Sequence, residues 1–79
     1  MNVFDSSALL AFLYDEPGAA VVERQLEVGG VCGAANWSEV AQKIRASGDE
    51  WALSRALLLS YPLTIETVSE VDAEAAAEL

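Results

Sequence analysis

Asn2-Val3-Phe4-Asp5-Ser6-Ser7-Ala8-Leu9-Leu10 sets β-type residues, a polar turn and the start of an apolar run in immediate succession. It reads as a strand, a turn and a helix start. Ser6 or Ser7 is the expected N-cap, because a hydroxyl there satisfies one of the unpaired N–H groups of the first helical turn. The helix runs on to Tyr14, and Asp15-Glu16-Pro17-Gly18 breaks it. Pro17 suits the first position of a second helix, whose apolar members Ala19, Val22 and Leu26 precede a stop near Gly29-Gly30.

Farther out, the same junction recurs. Val31-Cys32-Gly33-Ala34-Ala35 is short, apolar and glycine-bounded, as a buried parallel strand is. Asn36 is then the expected N-cap of an amphipathic helix from about Trp37 to Ala46, with Trp37, Val40, Ala41 and Ile44 on its apolar face. After Ser47-Gly48-Asp49, a further helix over Glu50 to Ser60 is apolar around most of its circumference and stops at Tyr61-Pro62. Leu63-Thr64-Ile65-Glu66-Thr67 alternates like a half-exposed third strand. Ser69 is expected to cap a last helix with Asp72 at its third position and Val68, Val71, Ala75 and Leu79 as its stripe. Strands separated by helical segments predict an α/β fold with parallel strands and right-handed crossovers.

Composition narrows the chemistry. The 79 residues include 13 acidic and 4 basic ones, a formal charge of −9, and no histidine. Imidazole bases, Ser-His-Asp triads and histidine zinc ligands are therefore excluded. A single cysteine, Cys32, cannot form an internal disulfide, and no segment reads as a secretion signal or approaches the roughly 20 apolar residues of a membrane span. A soluble protein of the reducing cytoplasm, with no membrane partner, is expected. The charge also disfavours passive phosphate binding, which depends on Lys and Arg releasing counterions, so a nucleic-acid ligand calls for a bridging cation.

Carboxylates are the chemistry that remains. Asp5 is expected at the carboxyl end of the first strand, where open parallel sheets place their binding crevices, although a carboxylate at a helix start also has a structural use. Glu39 is expected near the end of the second strand. Its structural reading is a capping box with Asn36 and an i,i+4 pair with Lys43, worth about 0.2–0.5 kcal/mol. Two carboxylates above adjacent strand ends suit a hard cation such as Mg²⁺, which could activate water for phosphodiester cleavage. A phosphoaspartyl transferase with Asp5 as nucleophile is less well matched, because Ser7 stands where such enzymes carry a second Asp.

Val3-Phe4-Asp5-Ser6-Ser7-Ala8-Leu9-Leu10, then Glu16-Pro17-Gly18, then Ala35-Asn36-Trp37-Ser38-Glu39-Val40, resembles the start of PIN-domain nucleases, in particular the VapC-type toxins of bacterial toxin–antitoxin pairs. The resemblance implies a PIN-like three-layer fold, a parallel sheet flanked by helices, with residues 1–79 as the N-terminal part of a single domain. It further implies endoribonuclease activity, Mg²⁺ (or Mn²⁺) as cofactor, and Asp5 and Glu39 as catalytic members of the metal-binding acidic cluster, with Ser7 beside them. RNA is the implied substrate and an antitoxin protein the implied partner. Family members continue past the point equivalent to Leu79 with further acidic residues, and Asp72, Glu74 and Glu78 do not match these by motif, reading instead as a solvated helix face.

The surplus of apolar residues on the Ala8–Tyr14 and Trp51–Leu59 helices calls for cover by a second copy, in a homodimer, or by an amphipathic antitoxin-like segment. The competing expectation is an acidic α/β protein-binding module whose carboxylates serve only as caps. The two differ in whether Asp5 and Glu39 act together.

Overall fold

The computed structural model describes residues 2–67. The elements follow in the order β1 (Asn2–Phe4), α1 (Ser6–Leu13), α2 (Ala19–Val28), β2 (Gly30–Gly33), α3 (Ala34–Ala46), α4 (Trp51–Leu59) and β3 (Leu63–Glu66). β2 is central and pairs in parallel with both neighbours, giving the order β1-β2-β3. Parallel neighbours cannot be joined by a tight turn, so each connection is a crossover through a pair of helices. The expected α/β class and parallel sheet are what the chain forms. The last helix expected from Ser69 onward, with Asp72, Glu74 and Glu78, lies outside the described residues.

Register sorts the strand residues into two faces. Phe4, Cys32 and Ile65 are in line, as are Asn2, Gly30 and Leu63, while Val3, Val31 and Thr64 alternate to the other side. Phe4, Cys32 and Leu63 are buried in one cluster with Leu9 and Leu10 of α1, Val22 and Leu26 of α2, Val40 and Ile44 of α3, and Leu58 of α4. All four helices therefore cover the same face, as successive crossovers of one hand in one direction require, so the described residues make up two of the three layers expected. On the opposite face Val3 is 77% exposed.

Two edge-to-face aromatic pairs tie the helical layer together. Trp37 and Trp51, 5.1 Å apart between centroids, join α3 to α4. Phe12 and Tyr61, 5.7 Å apart, join α1 to the turn before β3. Such contacts add about 0.5–1.5 kcal/mol beyond the area they bury. The apolar surplus of α1 is taken up inside the chain, since Ala8, Phe12 and Leu13 pack on the core around the buried Leu9 and Leu10. That of α4 is not: only Leu58 is buried, and Leu53 remains 69% exposed.

Three element starts differ from the sequence reading. Asp5, rather than Ser6 or Ser7, is the N-cap of α1, because its carboxylate accepts from the N–H of Ala8 at 2.8 Å. Pro17 is not the first residue of α2. Gly18 takes a left-handed φ of 95° as N-cap and its carbonyl accepts from Val21 and Val22, so the helix begins at Ala19. Finally, β2 passes directly into α3 at Gly33-Ala34, with no room for a cap at Asn36.

Close strand approach makes Gly30 the most constrained residue of the sheet. A Cβ there would collide with the Asn2 carbonyl and come within 2.9 Å of the Phe4 ring, whereas at Gly33 nothing lies within 4 Å. Gly30→Ala is therefore expected to destabilise the chain by about 3 kcal/mol or more, and Gly33→Ala by less than about 0.5 kcal/mol, in urea unfolding.

Candidate active site

The carboxyl ends of β1 and β2 lead into the first turns of α1 and α3, which place Asp5 and Ser7 at the first junction and Asn36 at the second, with Glu39 one turn farther along α3. Asp5 ends β1 in an extended conformation and is exposed, with Oδ1 engaged by the Ala8 N–H. Ser7 occupies the second helical position and is exposed, whereas Ser6 beside it is buried. The backbone N–H of Ser6 donates to Asn36 Oδ1 across the top of the sheet at 3.1 Å. That bond fixes the Asp5-Ser6 turn to the start of α3.

Asn36 is thus neither an N-cap nor half of a capping box. It is the third residue of α3, and its amide is spent on another element. Glu39 consequently lies in the second helical turn, where it cannot reach back to the helix's free N–H groups. Its Oε1 pairs instead with Lys43 Nζ at 3.4 Å, as the i,i+4 spacing predicts, and both groups remain about half exposed. Such a pair contributes a few tenths of a kcal/mol at most. At about 100° per residue, Asn36, Glu39 and Lys43 fall within one narrow sector of the helix, so Glu39 shares the side on which Asn36 meets the Asp5-Ser6 turn.

Beneath this turn, Cys32 is buried at the register position of Phe4. Burial pushes its thiol above the ordinary value, and the nearby negative charge of Asp5 pushes it in the same direction. The sulfur is thus a protonated core group, as expected for a small apolar residue, and unsuited to hold a hard cation. Among the described residues, no three side chains from His, Cys, Asp and Glu lie close enough together to enclose a metal ion.

Comparison with known proteins bears on this arrangement. A family model of the PIN domain matches residues 3–79, which includes the whole of the candidate site. The chain belongs to the PIN-domain family. PIN domains are typically nucleases that use divalent metals and act on RNA or DNA, so a nuclease class follows for this chain. No curated protein and no solved structure matches it.

Asn36 is the member of this PIN-domain site whose bridging role the sequence reading missed. The signal was present: Ala34-Ala35 are strong helix formers placed ahead of it, which moves the helix start upstream and leaves an amide inside the first turn without a local use. Asn36→Ala would leave the Ser6 N–H without a partner. It is expected to cost about 1–3 kcal/mol in denaturant unfolding.

The raised Cys32 thiol has a definite pH signature. Folding favours the protonated form, so this contribution is complete below the ordinary thiol value of 9.0 and is lost as pH rises through the higher folded value. Tyr61, raised from 10.0 by burial and by Glu23 and Glu27, adds a later step in the same direction. Cys32→Ala should therefore flatten the part of the fall in stability that begins near pH 9 and leave the part due to Tyr61 in place, measured as urea midpoints against pH.

Proposed function

We propose that the chain belongs to a Mg²⁺-dependent endoribonuclease, the toxin component of a toxin–antitoxin system of VapC type, in which Asp5 and Glu39 are the catalytic, metal-holding carboxylates and Ser7 supports them. One observation carries this reading. The turn that presents Asp5 at the end of β1 is tethered by the Ser6–Asn36 bond to the same side of α3 that carries Glu39. Family membership supports nuclease chemistry, and the order strand-Asp, Glu-Pro-Gly, Asn-x-x-Glu supports the toxin subgroup.

The donors fit a hard cation. Asp5 and Glu39 are exposed carboxylates, Ser7 an exposed hydroxyl, and among the described residues Asp5 Oδ2 accepts no hydrogen bond. Mg²⁺ needs only one or two protein carboxylates beside water and substrate phosphate, and Mn²⁺ has the same preference for oxygen. A cation held there supplies Lewis acidity to a phosphodiester. The protein's own task is to attract that cation with two negative charges at the strand ends, since a chain of charge −9 repels RNA unless a cation bridges them. The resemblance implies further acids in the catalytic cluster besides these two, and the proposal accordingly includes that cleavage by the 79 residues alone is absent or very low. The proposed setting is the cytoplasm, with an antitoxin protein and a second copy of the chain as partners.

A second reading has its own observation. Asp5 caps α1 and Glu39 pairs with Lys43, so each acid also has a structural use, as in a protein-binding module without catalysis.

Thermal melts separate the two. A ligand that binds only the folded state adds about 2.7 kcal/mol at a hundredfold excess over its Kd, so millimolar Mg²⁺ or Mn²⁺ should raise Tm by several degrees. Asp5→Asn preserves the N-cap, since Asn caps as well as Asp, and should remove most of that rise without lowering the metal-free Tm. A wild-type Tm indifferent to both cations supports the module. Cleavage of labelled RNA by the 79-residue chain, abolished in Asp5→Asn, would show that the two carboxylates suffice.

A further inference from the structure

The Asn36 carboxamide is only half used by the fold. Its Oδ1 accepts from the Ser6 N–H at 3.1 Å, and because a backbone N–H can only donate, the oxygen must be the amide atom turned toward α1. The amide nitrogen is thereby turned away from Ser6. Among the described residues Nδ2 donates no hydrogen bond, and the side chain is half-buried, within reach of solvent. Two N–H donors of settled orientation thus stand without an acceptor among the described residues. They lie between the turn that carries Asp5 and the helical sector that carries Glu39.

We propose that Asn36 is a substrate-binding residue, its Nδ2 donating to a non-bridging oxygen of an RNA phosphodiester bound over Asp5 and Glu39. This inference rests on the nuclease reading and adds to it a neutral group that contacts the phosphate directly. Charge explains why an amide serves here. A Lys or Arg between the two carboxylates would pair with them and compete with a cation, whereas a neutral donor binds an anionic oxygen and leaves both acids free. Of the four basic residues, Lys43 is already paired with Glu39, while Arg24, Arg45 and Arg55 belong to α2, the last turn of α3 and α4, not to either strand-to-helix junction. A hydrogen bond to an ionised oxygen is about twice as strong as one between neutral groups, so the amide gains more from phosphate than from water.

The test measures binding of the 79-residue chain to a short, fluorescein-labelled single-stranded RNA by anisotropy in Mg²⁺, with circular dichroism, urea unfolding and Mg²⁺-dependent melts on every variant. The wild-type chain is expected to bind in Mg²⁺ and not in EDTA. Asn36→Asp keeps an acceptor for the Ser6 N–H but has no donor, and Asn36→Ala has neither. Both should bind RNA at least about tenfold more weakly, as loss of a hydrogen bond to a charged group requires. Asn36→Asp should meanwhile keep its urea midpoint and its Mg²⁺-induced rise in Tm. Ser38→Asp, exposed on the same helix and adding the same charge, should stay within about twofold of the wild type. Where Asn36→Ala fails to fold, the difference between Asn36→Asp and Ser38→Asp decides. Weakening by Asn36→Ala alone would reduce Asn36 to the tether of α1 and overturn the proposal. Weakening by Asn36→Asp with folded Asn36→Ala unchanged, or equal weakening by Ser38→Asp, would reduce the effect to charge and overturn it as well. RNA binding that needs Mg²⁺, is lost in Asp5→Asn and is unchanged in both Asn36 variants would overturn it while leaving the nuclease reading standing. Absence of Mg²⁺-dependent binding by the wild-type chain would overturn the two together.

Discussion

β2 lies between β1 and β3 and runs parallel to both, so neither neighbour can be joined to it without a crossover. Both crossovers share one hand and advance in one direction, which puts all four helices against a single face of the sheet. One cluster around Phe4, Cys32 and Leu63 is the outcome. The same constraint sends α1 and α3 away from the same end of adjacent strands. Their first turns thus come together over Asp5 and Asn36, without any long-range feature of the sequence having to specify the meeting.

Most of this architecture was legible because its signals are local. Alternation at Leu63–Glu66, the apolar spacing of Val40, Ala41 and Ile44, and breaks at Pro17-Gly18 and Ser47-Gly48 each act over a few residues. What was misread were the caps, because there one polar side chain has several possible uses and only tertiary structure chooses. Asp5 outcompetes Ser6 for the Ala8 N–H, and Asn36 serves α1 instead of its own helix. The pairing of Glu39 with Lys43 was legible for the converse reason: both partners lie on one helix at a fixed spacing.

The candidate active site shows the same division. Asp5 and Glu39 are conspicuous in the sequence as acids at strand-to-helix junctions, and family membership gives that placement a chemical context. The bond that relates them passes through Ser6 and Asn36, neither of which carries charge. Cys32 beneath the turn records the local field, its thiol held protonated by burial and by the carboxylate above. A core residue and a surface acid are in this way electrostatically linked, and a change in charge at Asp5 is felt in the interior.

The central place of β2 also bears on which parts of the molecule open, and when. Its amides that bond to β3 are expected to be the slowest of the sheet to exchange with solvent, while β1, three residues long and, among the described residues, paired along one edge, is the strand expected to open more readily. Asp5 follows the three-residue β1, held by Phe4 in the core and by the Ser6–Asn36 bond, whereas Glu39 rides on the thirteen-residue α3, held by Val40 and Ile44. The two acids are therefore carried by elements of unequal length that share one core. Anything that clamps the short β1, whether a neighbouring strand or a bound ligand, would therefore steady Asp5 without altering a residue at the site.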